Sequence, residues 1–139
     1  MNLDRFLNAQ QDTYASVVQE LRAGRKQGHW MWFIFPQIDG LGHSSTARFY
    51  AIKSLDEAGS YLAHPVLGPR LNECCEALLL HSGSSARDIL GSPDDLKLRS
   101  CVTLFAQIHP ENPIFHRILT TFYHAEPDFR TIEILQAHG

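Results

Sequence analysis

"HWMWFIFPQIDGLGHSS" (residues 29–45) is the stretch that decides between the fold classes open to this chain. Its first half is apolar and rich in aromatic residues, and its second half turns polar after Pro36. The first half suits a buried strand and a buried helix equally, because it is apolar on every face. A lone strand has no sheet to join, and no second segment alternates apolar and polar residues. We therefore expect a short buried helix or an extended core segment in an all-α domain.

Helical spacing and capping residues predict helices on both sides of this stretch. Residues 3–22 place apolar side chains at helical intervals, allow a break at 10–12 with Asp12 as a cap, and stop at Gly24. The chain is therefore expected to be one compact domain, residues 1–139, of seven or eight short helices. Later helices are expected to begin at Ser44 or Ser45, at Ser54 with Glu57 in a capping box, at Pro69, at Ser92, at Asn112 with Pro113, and at Asp128. Ser85 and Asp88 are expected to flank a short turn that Gly91 closes.

The sequence SPDD gives the clearest of these helix starts. Ser92 is expected at the N-cap and Pro93 at the first helical position, with Asp94 and Asp95 in the first turn. Two carboxylates there complement the helix dipole. The helix is expected to run to about His109.

Charge, hydropathy and cysteine content argue against several classes of function. The chain has 12 basic and 15 acidic residues, a formal charge of -3, and no basic run longer than Arg25-Lys26, so a dedicated nucleic-acid binder is not expected. No signal-peptide pattern or membrane-length apolar run occurs. The three cysteines are odd in number and form no Cys-x-x-Cys pair, which favours reduced, partly buried thiols. These features predict a cytoplasmic protein with no membrane contact.

The glycines after the aromatic segment suggest an anion site. Gly40 and Gly42 precede Ser44 at an expected helix start, where free backbone N–H groups could hold a phosphate or carboxylate, and Gln37 stands beside them. A dinucleotide-binding motif is excluded by context, because no strand–helix–strand unit surrounds these glycines. The alternative interpretation is an ordinary turn followed by a helix cap.

The eight histidines offer candidates for proton transfer. His29 and His43 flank the aromatic segment, and both are taken as candidate catalytic residues. No His-x-x-x-His or His-Glu-x-x-His pair is present to arrange zinc ligands, so neither a metal site nor a cofactor is expected. The alternative is that these histidines are surface residues or hydrogen-bonded parts of the core.

The segment DDLKLRS adds a third set of candidates. Asp95 is a candidate catalytic carboxylate, while Asp94 and Lys97 could complete a polar rim around a ligand. The alternative is that both aspartates serve only the helix start.

Basic residues lead directly into the aromatic segment. Arg25 and Lys26 stand next to Trp30 and Trp32, a combination that suits a nucleotide through phosphate contact and base stacking. Trp30 is the preferred aromatic wall because it adjoins His29. A solvated helix end would give the same residues.

Four stretches together resemble a known bacterial family. RFLNAQ (5–10), ELRAGRKQGHWMWFIFPQIDGLGHS (20–44), YAIKSLDEAGSYLAHPVLGPRL (50–71) and GSPDDLKLRSCVTLF (91–105) are similar to the family catalogued as domain of unknown function 1810, some of whose members carry the label calpastatin. The resemblance implies a compact multihelical cytoplasmic domain without an assigned activity. A composition that is 44% hydrophobic suits a globular fold and not the disordered chain of calpastatin.

A more distant likeness points toward function. EAGSYLAHP (57–65) and LFAQIHPENPIFHRILTT (104–121) are similar in layout to the helical NADAR family, which is linked to ADP-ribose and riboflavin-pathway nucleotides and includes N-glycosidases. The Lys-Phe pair of that family corresponds to Leu104-Phe105 here, so no catalytic residue transfers. The likeness implies a nucleotide-sugar ligand and leaves hydrolysis open.

Two functional hypotheses follow. In the first hypothesis, the domain binds a phosphorylated nucleotide-like small molecule such as an ADP-ribose derivative. A stronger form of this hypothesis is that the domain also hydrolyses this ligand. In the second, it is a non-catalytic protein-interaction module. The first predicts that the candidate residues converge on one pocket, and the second predicts an exposed apolar patch elsewhere.

Overall fold

The computed structural model describes residues 2–138 of the chain. Ten helices make up this part, above the seven or eight expected, because the first segment is split and two very short helices are present. The all-α class is confirmed. The helices are α1 (Asp4–Gln11), α2 (Tyr14–Ala23), α3 (Met31–Ile34), α4 (Ser45–Tyr50), α5 (Leu55–Ala63), α6 (Leu67–Leu79), α7 (Ala86–Leu90), α8 (Asp94–Ile108), α9 (Ile114–Tyr123) and α10 (Phe129–His138).

The aromatic segment is the centre of the core. It contains the four-residue helix α3, and Trp30, Met31, Ile34 and Phe35 are each at most 2% exposed. Burying an aromatic or large aliphatic side chain contributes about 1.5–3 kcal/mol, so this segment anchors the chain between α2 and α4. Extended pairing in the region between residues 2 and 138 is limited to one isolated parallel bridge, Ile38 to Ile52. A short buried helix in an all-α domain is therefore the correct interpretation of residues 30–35.

Several predicted helix ends are confirmed by their hydrogen bonds. The hydroxyl groups of Ser44 and Ser54 each accept a backbone N–H three residues later, at 3.1 and 3.0 Å. Ser85 does the same for Asp88 at 3.0 Å and so begins the short helix α7, where only a turn was predicted. Gly24 ends α2 in the left-handed conformation that glycine adopts freely. At α9, by contrast, Pro113 and not Asn112 is the N-cap, although the Asn112 side chain accepts the N–H of Ile114 at 3.1 Å.

Three further predicted helix starts are wrong in detail. Pro93, not Ser92, is the N-cap of α8, its peptide bond to Ser92 is cis, and no side chain caps the helix. Thr13 precedes α2 without a side-chain cap, so Asp12 does not have the expected role. Helix α6 begins at Leu67, ahead of Pro69, because proline is tolerated in a first turn where its missing N–H has no partner.

Glu57 departs from the reciprocal capping box. Its carboxylate accepts a hydrogen bond from the backbone N–H of Lys53 at 2.9 Å. It also accepts hydrogen bonds from both terminal nitrogens of Arg5, at 2.7 and 3.2 Å. Arg5 also donates to the carbonyl of Ala51 at 2.9 Å. This pair joins α1 to the start of α5, so the capping residue also holds two distant segments together.

Helix α8 is the central helix of the fold. It packs against α5, α7, α9 and α10, while α6 packs against α2, α5 and α9. Residues Leu98 to Ala106 of α8 are all buried except Arg99. Because the first turn of α8 projects beyond this core, its polar residues lie beside the chain that enters α3. Of the helices described between residues 2 and 138, none is both long and apolar enough to cross a membrane.

Candidate functional site

Glu20 of α2 fixes the turn that leads into the aromatic segment. One carboxylate oxygen accepts the N–H groups of Gln27 at 2.5 Å and Gly28 at 2.8 Å, and the indole N–H of Trp30 at 3.1 Å. Burial by itself would raise the pKa of Glu20, but these donors outweigh it and lower the pKa. The carboxylate therefore stays charged and gives the buried indole N–H its partner.

Asp94 in the first turn of α8 joins two lysines. The ammonium nitrogen of Lys26 lies 3.0 Å from one carboxylate oxygen, and that of Lys97 lies 3.4 Å from the other. The side chain of Lys26 is 9% exposed, against 18% for Asp94 and 25% for Lys97. Lys26 also donates to the carbonyl of Gly28 at 2.6 Å. Residues far apart in the sequence thus meet in a partly buried ionic cluster.

Each of these lysines also faces a tryptophan. The ammonium of Lys26 lies 5.2 Å from the ring centre of Trp30, and that of Lys97 lies 4.9 Å from the ring centre of Trp32. Both distances are within the range of a cation–π interaction. We refer to Lys26, Trp30, Trp32, Asp94 and Lys97 as the lysine cluster.

Trp32 is the more accessible of the two rings. Trp30 is 1% exposed, whereas Trp32 is only partly buried. Trp30 therefore acts as a core residue whose indole N–H is already bonded, and Trp32 is the aromatic surface that a ligand can reach. The sequence favoured Trp30 as the aromatic wall because it adjoins His29, but Trp30 is buried and Trp32 is the accessible ring. Periodicity could not orient the two rings, because the segment is apolar on every face.

The glycine loop packs closely on α4. A Cβ at Gly42 would lie 2.6 Å from the Cβ of Ala47, and Ser44 caps α4 through the Ala47 N–H at 3.1 Å. The crevice that Trp32, Gln37 and Gly42 help to line has a volume of about 10 Å³, enough for one water. Gln37 and Gly42 thus adjoin Trp32, but the loop leaves little room for an anion.

The remaining candidates lie outside the lysine cluster. His29, His43 and Arg25 are exposed, and Gly40 is an exposed turn residue with φ of +108°. Among residues 2–138, no hydrogen bond or ion pair joins either histidine to Asp95. Asp95 contacts α9, where the hydroxyl of Tyr123 donates to its backbone carbonyl. Lys26, Trp30, Asp94 and Lys97 are therefore the predicted site residues that the fold brings together.

The cysteines are unpaired, as expected, and all three are buried. Burial raises the pKa of Cys74 to about 12 and holds the pKa values of Cys75 and Cys101 well above the ordinary thiol value. The thiolate needed for nucleophilic attack or metal binding is therefore disfavoured. In the described part of the chain, His, Cys, Asp and Glu side chains form no group of three suited to a metal ion.

A groove that the sequence did not indicate lies between α6 and the start of α9. Its volume is about 420 Å³, within the range of small-molecule sites. We call it the acidic groove, because two glutamates and no lysine or arginine line it. No local sequence pattern could reveal it, since it arises from the packing of α5, α6 and α9. Its lining residues are Leu62, Gly68, Pro69, Asn72, Glu73, Glu76, His109, Asn112 and Phe115.

Comparison with known proteins places the chain in a family. The model for the family described as "Protein of unknown function (DUF1810)" matches residues 1–135, so the chain belongs to that family. The chain is also similar to the crystal structure of the conserved hypothetical protein Rv1873 from Mycobacterium tuberculosis. The two share 51% sequence identity over 96% of each chain, with a TM-score of 0.94. No curated protein matches the sequence.

Proposed function

We propose that this domain binds a phosphorylated, nucleotide-like small molecule, such as an ADP-ribose derivative, at the lysine cluster. The observation that carries the proposal is that Lys26 and Lys97 share the single carboxylate of Asp94. Two ammonium groups on one carboxylate leave a net positive charge within this trio. A phosphate group supplies the complementary charge.

The surroundings of Lys97 favour this ligand class. Its ammonium is partly exposed and lies against Trp32, so a phosphate on Lys97 would place the rest of a nucleotide beside an accessible aromatic ring. Two further carboxylates are close: Glu20, which faces Lys26 and whose bonded oxygen accepts three N–H groups, and Asp95, which faces Tyr123 of α9. Lys97 is therefore the ammonium that we assign to the phosphate. Free buried cysteines support a reducing, cytoplasmic location.

The proposal is for binding, because the contacts of the cluster supply no arranged acid and base. Hydrolysis would require His29, His43 or Asp95 to reach the same ligand. Chromatography of ADP-ribose after incubation with the protein tests hydrolysis separately from binding. The alternative of a protein-interaction module predicts no response to any nucleotide.

Thermal unfolding with ADP-ribose, AMP and unphosphorylated ribose tests the binding proposal. A ligand at one hundred times its dissociation constant stabilises a protein by about 2.7 kcal/mol, so we expect ADP-ribose and AMP, but not ribose, to raise the melting temperature. Lys97→Gln should remove most of this stabilisation while Lys26 keeps Asp94 paired. Lys53→Gln is the matched control, because Lys53 also pairs with an aspartate, Asp39, at 3.6 Å but contacts no tryptophan in the described chain. An unchanged response in Lys97→Gln, or no response in the native protein, would overturn the proposal.

A further inference from the structure

We propose that the acidic groove is a second binding site, and that it takes a small organic cation with a short hydrocarbon stem, such as an aliphatic amine. It shares no residue with the lysine cluster, so this inference does not depend on the function proposed above. The argument rests on the volume of the groove, the arrangement of its polar side chains and the charges around it.

A chain of hydrogen bonds crosses the groove and fixes its polar side chains. The side-chain amide of Asn112 donates to the Asn72 side-chain oxygen at 3.4 Å, and the Asn72 amide donates to Glu76 at 2.9 Å. Asn112 is itself held by the N–H of Ile114 at 3.1 Å. The carboxylate of Glu76 is therefore oriented before a ligand arrives, which reduces the entropic cost of binding.

Glu73, the other glutamate of the groove, is held by Tyr14 of α2. The hydroxyl of Tyr14 donates to one of its oxygens, and burial together with this bond raises the pKa of Tyr14, so the phenol remains a donor. The other oxygen of Glu73 has only a long contact of 3.9 Å to Arg22, whose side chain is 62% exposed. Such an exposed pair is weak and can be displaced by a ligand cation.

The other charged neighbours do not neutralise the groove. Arg70 is occupied elsewhere: its guanidinium covers the ring of Tyr14 at 4.4 Å and donates to Gln10 at 3.3 Å. His109 stands half-exposed at the rim, 3.3 Å from Glu111, another carboxylate. The groove therefore presents two carboxylates with spare acceptor capacity, and a cation is the complementary ligand.

The apolar part of the lining selects among cations. Leu62 of α5 and Pro69 of α6 supply hydrocarbon surface beside the carboxylates, with the buried ring of Phe115 behind them. A bare metal ion gains nothing from such a surface, whereas the stem of an alkylamine removes apolar area from water on both sides. The volume of about 420 Å³ accommodates an amine of this kind without a conformational change.

Calorimetric titration of the intact chain at low salt with 1,4-diaminobutane tests this site, with 1,4-butanediol as its uncharged counterpart. We expect the diamine to bind in the millimolar range or tighter, and the diol to give no signal. Glu76→Gln, at an exposed position on α6, should weaken diamine binding at least about tenfold and leave the melting temperature unchanged. Glu133→Gln, which removes an exposed carboxylate from α10, is the charge-matched control and should bind as the native protein does.

Three results would overturn the inference: no diamine binding at millimolar concentration, equal binding of the diol, or equal losses in Glu76→Gln and Glu133→Gln. Lys97→Gln separates this inference from the proposed function. That variant should bind the diamine normally even though it no longer responds to ADP-ribose.

Discussion

Replacing Asp94 with asparagine tests how strongly the lysine cluster holds the fold together. The substitution keeps the size of the side chain but removes the carboxylate that contacts both ammonium groups. Removing one partner of a fully buried pair costs about 3–5 kcal/mol, whereas exposed pairs contribute about 0–1 kcal/mol. The three side chains are 9–25% exposed, so we expect an intermediate loss of about 2 kcal/mol. For a chain of 139 residues this corresponds to a decrease in melting temperature of about 8 °C.

Urea unfolding followed by circular dichroism measures this loss, provided that the slope of the transition is unchanged. Asp56→Asn is the matched control, because Asp56 also lies in the first turn of a helix but is exposed. Its loss should not exceed about 0.5 kcal/mol. If Asp94→Asn costs no more than Asp56→Asn, the ionic cluster does not join α8 to the aromatic segment, and the reasoning is wrong.

Two further predictions concern packing and pH. Gly68→Ala should lower the free energy of unfolding by about 3 kcal/mol, because the new Cβ would lie 2.1 Å from the backbone carbonyl oxygen of Leu62. Gly59→Ala has open space around the new Cβ and should raise the free energy of unfolding by about 0.5–1 kcal/mol. The melting temperatures of the two variants should therefore shift in opposite directions. Stability should also decline above about pH 9, because Cys75 and Cys101 ionise in the unfolded chain while burial keeps them protonated in the folded one. The slope is about 1.4 kcal/mol per pH unit for each thiol, and a urea midpoint that stays constant from pH 8 to 10 would contradict it.

Local features of the fold could be predicted because their causes are local. Ser44 and Ser54 cap helices through bonds to residues three positions away, and Gly24 ends a helix by its own conformational freedom. The start of α8 was misplaced because its two aspartates suit a first turn whether or not Ser92 is the cap. Local rules thus identify a helix more reliably than they identify its first residue.

The candidate site was predictable in part. The sequence identified Lys26, Trp30, Asp94 and Lys97 by residue type, but their convergence depends on how the segment between α2 and α3 lies against the first turn of α8, which no local pattern encodes. The exposure of Trp32 depends on the same packing, because periodicity cannot orient a segment that is apolar all round. The acidic groove was missed entirely, since its walls come from three helices whose contact was unknown.

The most direct test of the lysine cluster is a titration of the isotopically labelled protein with ADP-ribose, followed through its tryptophan indole N–H signals by nuclear magnetic resonance. The chain has two tryptophans, and Trp32→Phe assigns the two signals. Because Trp32 is accessible while Trp30 is buried and bonded to Glu20, we expect a saturable shift that is larger for Trp32. Lys97→Gln should reduce that shift at every ligand concentration. Saturable binding that leaves the Trp32 signal unchanged would contradict the assignment of the site.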